Sequence, residues 1–316
     1  YLDLADNTEL NAIVIDVKLE DGTIVYDMQV DSVIEAGTGN KDYSQDDMKA
    51  LLDELHSHGI YCIARIVCFR DEKLYQKHED WFLHKLDDTI YIDGDKNKWI
   101  NPYKELATRY IVDVACQAAR DGFDEICFDY IRITSYTSGR TNTNFGRLID
   151  YYTIQEQIVE FCKYACNRLK PMGVFVSASV YGGIINSAVD AKNVGQNYTE
   201  MAKYMDYMCP MVYPSHYANG YAGFDIPDFE PYKLVSFELQ SSAKKLEAAS
   251  EEAGGITLAK CRPWLQSFSA SWLEKYKTYT NPVIREQVKA CYDNNINEWM
   301  YWNAAGNYDE EAFEKK

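Results

Sequence analysis

The sequence predicts an α/β fold, a single-domain (β/α)8 TIM barrel spanning residues 1–316. Three observations lead there. Strand-like and helix-like segments alternate from end to end, the pattern of helix-covered parallel strands. The units number about eight, which suits a barrel better than an open sheet. No linker, repeat or low-complexity segment interrupts them, and no G-x-G-x-x-G follows the first strand to support a dinucleotide-binding sheet.

The elements follow in order. NAIVIDVK (Asn11–Lys18) is a strand. Ser44–Ser57 has helical spacing, with Met48, Leu51, Leu52 and Leu55 on one face and Ser44 with Asp47 as a capping pair. Gly59 ends it, and IYCIARIVCF (Ile60–Phe69) is the next strand. A short strand near Lys98–Ile100 completes the eight. Asn101-Pro102 opens a helix, with Asn as cap and Pro in the first turn, that runs to about Asp121 and closes at Gly122. GFDEICFDYIRI (Gly122–Ile133) is a strand, and a long helix covers roughly Asp150 to Leu169. Four more strands lie within Gly173–Gly182, Asp206–Tyr217, Ile256–Phe268 and Asn297–Asn303. Helices are expected near Tyr198–Tyr204, Phe237–Glu252 and Asn281–Asn294.

Composition narrows the function. A formal net charge of −17 argues against nucleic acid and against anionic lipid, since both need clustered Lys and Arg. No run is long enough to cross a membrane. The chain opens at YLDLADNTEL with no basic and apolar leader, so the expectation is a cytoplasmic protein or one whose export signal lies outside this sequence. Tyrosine is abundant at 26 residues, with 6 Trp, which suits stacking on sugar rings as well as ordinary packing. The nine Cys include no C-x-x-C pair; Cys162 and Cys166 lack partners for a zinc pattern, so buried free thiols and no metal or other cofactor are expected.

Strand parity singles out Asp129. In GFDEICFDYIRI the apolar set Ile126, Phe128 and Tyr130 should meet the helices, leaving Glu125, Cys127, Asp129 and Ile131 inside. A lone buried carboxylate costs several kcal/mol unless it is paired, so Asp129 needs a partner: Arg65, Lys18 or Arg262. The same parity turns Asp16 and Lys18 inward, then Ser177, Ser179 and Tyr181, then Arg262, Trp264 and Gln266 on one face. Together they form a polar layer near the strand ends, where barrel enzymes carry their sites. The structural alternative is a buried ion-pair network that only fixes register.

The segments NAIVIDVK, GIYCIARIVCF, WINPY, GFDEICFDYIRI, VGQNY, PMVYPSHY, CRPWLQSF and YWNAAGNY make the chain recognisable. It resembles a bacterial family of glycosidase-like TIM-barrel domains related to α-amylase-like barrels, over nearly its whole length. The resemblance implies a (β/α)8 fold and an exported or surface-attached protein. It also implies that Asp129 stands at the family's fourth-strand Asp, commonly the nucleophile in related glycosidases. Arg132, Tyr213, His216, Arg262, Trp264, Gln266 and Asn303 match the family as well. Ser179 departs from it, standing where a fifth-strand Asp is usual; Cys127 replaces a Gln, and Ile133-Thr134 a Phe-Pro.

Glycoside hydrolysis normally uses two carboxyl groups. Asp129 is the first choice for nucleophile or base. Asp16 has the right parity for the second, although pairing with Arg65 or Lys18 explains it equally well. Glu125 lies roughly 13 Å deeper along its strand, and the loop acids Asp225 and Asp228 stay open. Arg65, Arg132, Ser179, Tyr181, Tyr213, His216, Arg262, Trp264, Gln266, Trp302 and Asn303 are the candidate sugar-binding residues, with Tyr130 assigned to core packing. The expected partner is a carbohydrate. Three readings follow: a glycosidase on a bacterial polysaccharide or cell-wall glycan; a catalytically weakened, glycan-binding barrel, supported by Ser179; and another hydrolase such as a deacetylase, which would need a metal cluster.

Overall fold

The computed structural model describes residues 1–134, 143–146 and 151–316. Its main sheet contains β1 (Ala12–Lys18), β2 (Tyr61–Val67), β4 (Glu125–Asp129), β6 (Phe175–Tyr181), β7 (Tyr207–Met211), β8 (Lys260–Cys261), β9 (Trp264–Gln266) and β10 (Met300–Trp302). Neighbours run β1-β2-β4-β6-β7-β9-β10, all parallel, and β8 pairs with β7 below β9. β8 and β9 are one strand position interrupted at Pro263, which has no N–H to give a ladder. The sheet curls: the Arg65 guanidinium carbon on β2 lies 5.3 Å from the Trp302 ring centroid on β10. Among the described residues the ladder does not run back from β10 to β1. The result is a curled half-barrel of parallel strands with helices outside, consistent with the (β/α)8 class.

The strands have two buried faces with different tasks. Ile126, Phe128, Val176, Ala178, Val180 and Met208 meet the helices in the main core. Ile63, Cys127, Cys209, Trp264 and Met300 pack against one another inside the curl. Each large side chain so buried stabilises by about 1.5–3 kcal/mol, and a one-residue slip would turn every one of them round. Strand register therefore fixes which polar residues point inward.

The helices are α1 (Leu2–Asn7), α2 (Asp31–Ala36), α3 (Gln45–Ser57), α4 (Glu105–Asp121), α5 (Tyr151–Leu169), α6 (Ala188–Val194), α7 (Tyr198–Ala202), α8 (Pro231–Glu252) and α9 (Asn281–Asp293). Ser44 and Asp47 make the expected capping box on α3. The expected start of α5 at Asp150 lies outside the described residues. The α4 start differs: Asn101 is no helix cap. Its side chain accepts from Tyr103 N–H (3.1 Å) and donates to the Phe145 carbonyl (3.1 Å), tying down a loop before the helix begins.

The strand expected at Lys98–Ile100 is not part of the barrel sheet. Trp99 bridges Arg70, Ile100 bridges Phe82 and Lys98 bridges Ile92, all antiparallel. With the ribbon of β3 (His84–Lys85) and β5 (Thr143–Asn144) they form a separate layer after β2. Short apolar runs look alike in either setting, which is why the sequence misplaced this one.

Candidate active site

A cavity of about 530 Å³ opens at the C-terminal ends of the strands. Asp129, Arg65, Arg132, Ser179, Tyr181, Tyr213, His216, Trp264 and Trp302 line it, as do Glu20, Tyr130, Asp190, Asn193, Gln196 and Met211. Nine residues singled out from sequence thus meet in one place.

Asp129 ends β4 and is almost wholly buried. Its Oδ2 accepts from Arg65 Nε at 2.8 Å and its Oδ1 from the Tyr130 N–H at 2.7 Å. Arg65 also donates to Asp16 Oδ1 and Glu20 Oε1, each at 2.7 Å. One guanidinium therefore gathers three carboxylates. Burial acts to raise the Glu20 carboxyl, but the hydrogen bond and charge of Arg65 outweigh it and hold the group below its ordinary range. Of the three partners considered for Asp129, Arg65 is the one the structure supplies. Lys18 pairs instead with Asp71 at 2.8 Å, both fully buried. The β1 register shifts between Asp16 and Lys18, so strict alternation fails there. Gly22 is required for this pair: its φ is +89°, and a Cβ would sit 1.9 Å from Asp71 Oδ1.

Tyr130 also departs from parity. Its φ is +50°, a left-handed conformation uncommon for a residue with a Cβ. The strand has ended at Asp129, and this turn brings Tyr130 to the cavity while Ile131 joins the outer core.

On the other side of the curl, Trp264 Nε1 donates to Ser179 Oγ at 2.9 Å. Trp302 stands edge-on to Trp264, with ring centroids 5.8 Å apart. Tyr213 packs edge-on against His216 and Phe268 at 5.3 and 5.7 Å. His216 is exposed at the rim, its Nδ1 3.0 Å from Ser215 Oγ. Phe268 stacks on Trp272 at 5.9 Å, and Trp272 is 66% exposed, so an aromatic strip continues outward from the cavity.

Four candidates are not in the cavity lining: Asp16, which is held on Arg65 with its side chain 41% exposed, and Arg262, Gln266 and Asn303. Arg262 lies a layer deeper, paired with Glu125, with its guanidinium carbon 4.1 Å from the Tyr207 ring centroid. It shares the inward face, but Glu125, also bonded to Ser177 and Tyr61, holds it below the cavity. Gln266 is fully buried; it accepts from Ser215 N–H (3.1 Å) and donates to the Phe268 carbonyl (3.0 Å), tying the rim loops together. Asn303 donates to the Ser267 carbonyl at 2.7 Å and shapes a turn. Of the loop acids, Asp228 is buried and accepts from Lys277 N–H at 2.7 Å, while Asp225 is exposed.

Sequence reasoning missed Glu20 and Asp190. Glu20 lies just beyond β1, in the kind of strand-to-helix loop where barrel enzymes place functional groups, so position could have found it. Asp190 accompanies the Ser187 cap of α6, and the Ser187-x-x-Asp190 spacing reads as a helix start. Among the described residues Asp190 has no ion pair.

The thiols are all free, eight of them buried. Among the described residues, His56, Cys62 and Asp124 are the one group with metal-ligand atoms within 4.8 Å of one another. Asp124 Oδ2 there accepts from the Cys62 N–H at 2.7 Å and meets His56 Nε2 at 2.9 Å. Asp206 does the same work with Val176 N–H (2.9 Å) and Lys170 (2.8 Å), so this is how a strand start is held rather than a metal centre. A second, more open hollow of about 500 Å³, bordered by Glu79, His84, Asn101 and Lys104, contains none of the predicted site residues. No described helix is long and apolar enough to cross a membrane.

A curled parallel sheet with carboxylates and aromatic rings around a cavity at its strand ends is consistent with the class of glycoside hydrolase-like barrels. The chain belongs to the family described as "Putative glycosyl hydrolase domain", whose model matches residues 1–308. No curated protein matches the chain in sequence. Among solved structures it is similar to the PgaB (BpsB) glycoside hydrolase domain from Bordetella bronchiseptica, at 14% identity over 98% of this chain and 90% of that one, with a TM-score of 0.66. The C-terminal domain of a "putative chitinase" from Desulfitobacterium hafniense matches at 11% identity, 98% and 90% coverage and TM-score 0.57. The Thermus thermophilus α-galactosidase TtGalA, solved with stachyose, matches at 13% identity, 98% and 58% coverage and TM-score 0.54. At these identities the likeness is one of fold.

Proposed function

We propose that the protein is a glycoside hydrolase acting on a bacterial polysaccharide or cell-wall glycan, folded as one (β/α)8 domain. The observation that carries this reading is Asp129: a carboxylate oriented by two hydrogen bonds, facing a cavity walled by Tyr130, Tyr181, Tyr213, Trp264 and Trp302. Aromatic walls take the apolar faces of sugar rings. Asp129 attacks the anomeric carbon or deprotonates the water that does. Arg65 aims it, and Asp16 and Glu20 hold Arg65 in turn as positioning residues. Asp190, the cavity carboxyl with no ion pair among the described residues, protonates the leaving oxygen. Release of reducing ends from a glycan panel by wild type and Asp129→Asn tests the assignment. Turnover by wild type and loss in a folded variant support it; equal turnover overturns it.

A second reading, a glycan-binding barrel with weakened catalysis, is favoured by Ser179. A hydroxyl bonded to Trp264 stands there in place of the carboxylate usual in the family.

A further inference from the structure

Beside Asp129 two arginines make no ion pair among the described residues. Arg70 and Arg132 flank the Tyr130 ring, their guanidinium carbons 5.5 and 5.1 Å from its centroid. Arg132 also lies 4.9 Å from the Trp99 ring centroid. Neither has a carboxylate within ion-pair distance among the described residues. Arg132 donates one hydrogen bond, to the Ile133 carbonyl at 3.0 Å, and Arg70 donates from Nη1 to Tyr130 Oη at a long 3.4 Å. Arg70 Nε is buried with no hydrogen-bond partner among the described residues. Arg132 lines the cavity.

Such an arrangement is costly, since half-buried guanidinium groups lose hydration and these two repel each other. Scarcity of acids does not explain it: the chain has 49 Asp and Glu against 32 Lys and Arg. Glu20 and Asp129 lie close by, yet both turn to Arg65. Tyr130, in its left-handed turn, offers both cations a ring but no negative charge. Planar guanidinium forks with free N–H donors, stacked on aromatic rings, match a planar two-oxygen acceptor.

We propose that Arg132 and Arg70 form a subsite for a carboxylate on the sugar, so that the glycan carries uronic acid or carboxyalkyl-ether residues. This deepens the hydrolase reading and rests on its placing a sugar in the cavity. The carboxylate lies against Arg132, with Arg70 behind Tyr130 adding attraction, while the sugar ring faces Asp129.

The test is equilibrium binding of defined probes to the full chain: glucuronate, N-acetylmuramic acid, glucose 6-sulfate, glucose 6-phosphate, glucose and N-acetylglucosamine. Wild type should bind a carboxylate sugar about tenfold tighter than its neutral counterpart. Which of glucuronate and N-acetylmuramic acid binds better tells a ring carboxylate from an ether-linked one. Arg132→Gln should abolish the preference, Arg70→Gln should reduce it, and Arg132→Lys should keep part of it. Equal binding of acidic and neutral sugars by wild type overturns the inference without relying on any variant. So does a preference for the sulfate or phosphate sugar, or a folded Arg132→Gln protein that keeps the carboxylate preference. A carboxylate preference in a protein that hydrolyses no glycan supports the subsite and counts against the hydrolase reading alone, so the two failures are distinct.

Discussion

Arg65 on β2 binds Asp129 on β4 through Nε and Oδ2 at 2.8 Å, reaching up from the level of Cys127, its register partner. The bond fixes where the Asp129 carboxylate points and leaves its turn-side oxygen on the Tyr130 N–H. Asn at this position keeps the shape and loses the charge. Asp129→Asn should therefore lower turnover by about a thousandfold while glycan affinity stays within a few-fold. Steady-state kinetics beside a thermal melt check it, because a purely structural Asp129 would instead lower the melting temperature and leave activity proportional to folded protein.

The same guanidinium neutralises Asp16 and Glu20, whose side chains are 41% and 33% exposed. Arg65→Met should destabilise the protein by about 3 kcal/mol, at the low end for a broken buried ion pair because two of the three carboxylates still reach water. The Glu20 share has a definite sign. Its folded carboxyl lies below the ordinary range, so its stabilisation is present above the usual Glu value and is lost as pH falls through the lower folded one. The gap between wild type and Arg65→Met should shrink in acid. Urea unfolding at pH 7 and pH 3 measures it, and a gap that widens in acid would refute the assignment.

Glu238 sits on α8 behind the cavity wall, fully buried, accepting from Tyr221 Oη at 2.6 Å and Asn186 Nδ2 at 3.2 Å. Burial pushes its carboxyl up from 4.5 to about 7, against the pull of those hydrogen bonds. The folded state keeps the proton longer than the unfolded state, so stability falls as pH rises from 4.5 to about 7 and levels off beyond, by roughly 3 kcal/mol in all. Glu238→Gln should flatten that slope and be more stable than wild type at pH 8. Unfolding free energies at pH 4.5, 6 and 8 decide it; an unchanged slope in the variant assigns the pH dependence elsewhere.

Most of this framework was legible in the sequence because strand parity is strict wherever both faces are buried. Asp129, Ser179, Tyr181 and Trp264 point inward for the same reason that Phe128, Ala178 and Val180 point outward. Parity stopped being informative where the backbone leaves the ladder. The β1 irregularity sent Lys18 to Asp71, and Tyr130, at a positive φ, lines the cavity as well as packing on the main core as predicted. Depth was the other blind spot. Arg262 and Asp129 share a face, but alternation does not say that Glu125 claims Arg262 a layer below. Glu20, in the loop after β1, and Asp190, in the first turn of α6, lie off the strand ladder, so parity did not reach them.

Ser179→Asp separates an active site from a weakened one. The new carboxylate can keep the Trp264 Nε1 bond with one oxygen and face the cavity with the other. If Asp129 and Asp190 already supply both groups, turnover should stay within about threefold of wild type, and this is the expected result. A rise of about tenfold or more would favour the weakened, glycan-binding reading, since one restored general acid or base is worth at least that much.

Asp190→Asn tests the second carboxyl through the chemistry of the leaving group. A general acid matters only when the departing oxygen needs a proton. Natural glycosides leave as alkoxides of sugars and need one; a dinitrophenyl glycoside leaves as a stable phenolate and does not. Asp190→Asn should thus slow hydrolysis of a natural glycan by about a hundredfold or more and leave the dinitrophenyl substrate within a few-fold of wild type. Asp129→Asn should depress both substrates alike, because attack on the anomeric carbon is needed in either case. If Asp190→Asn slows both substrates equally, Asp190 only shapes the cavity, and the proton comes from another group at its rim.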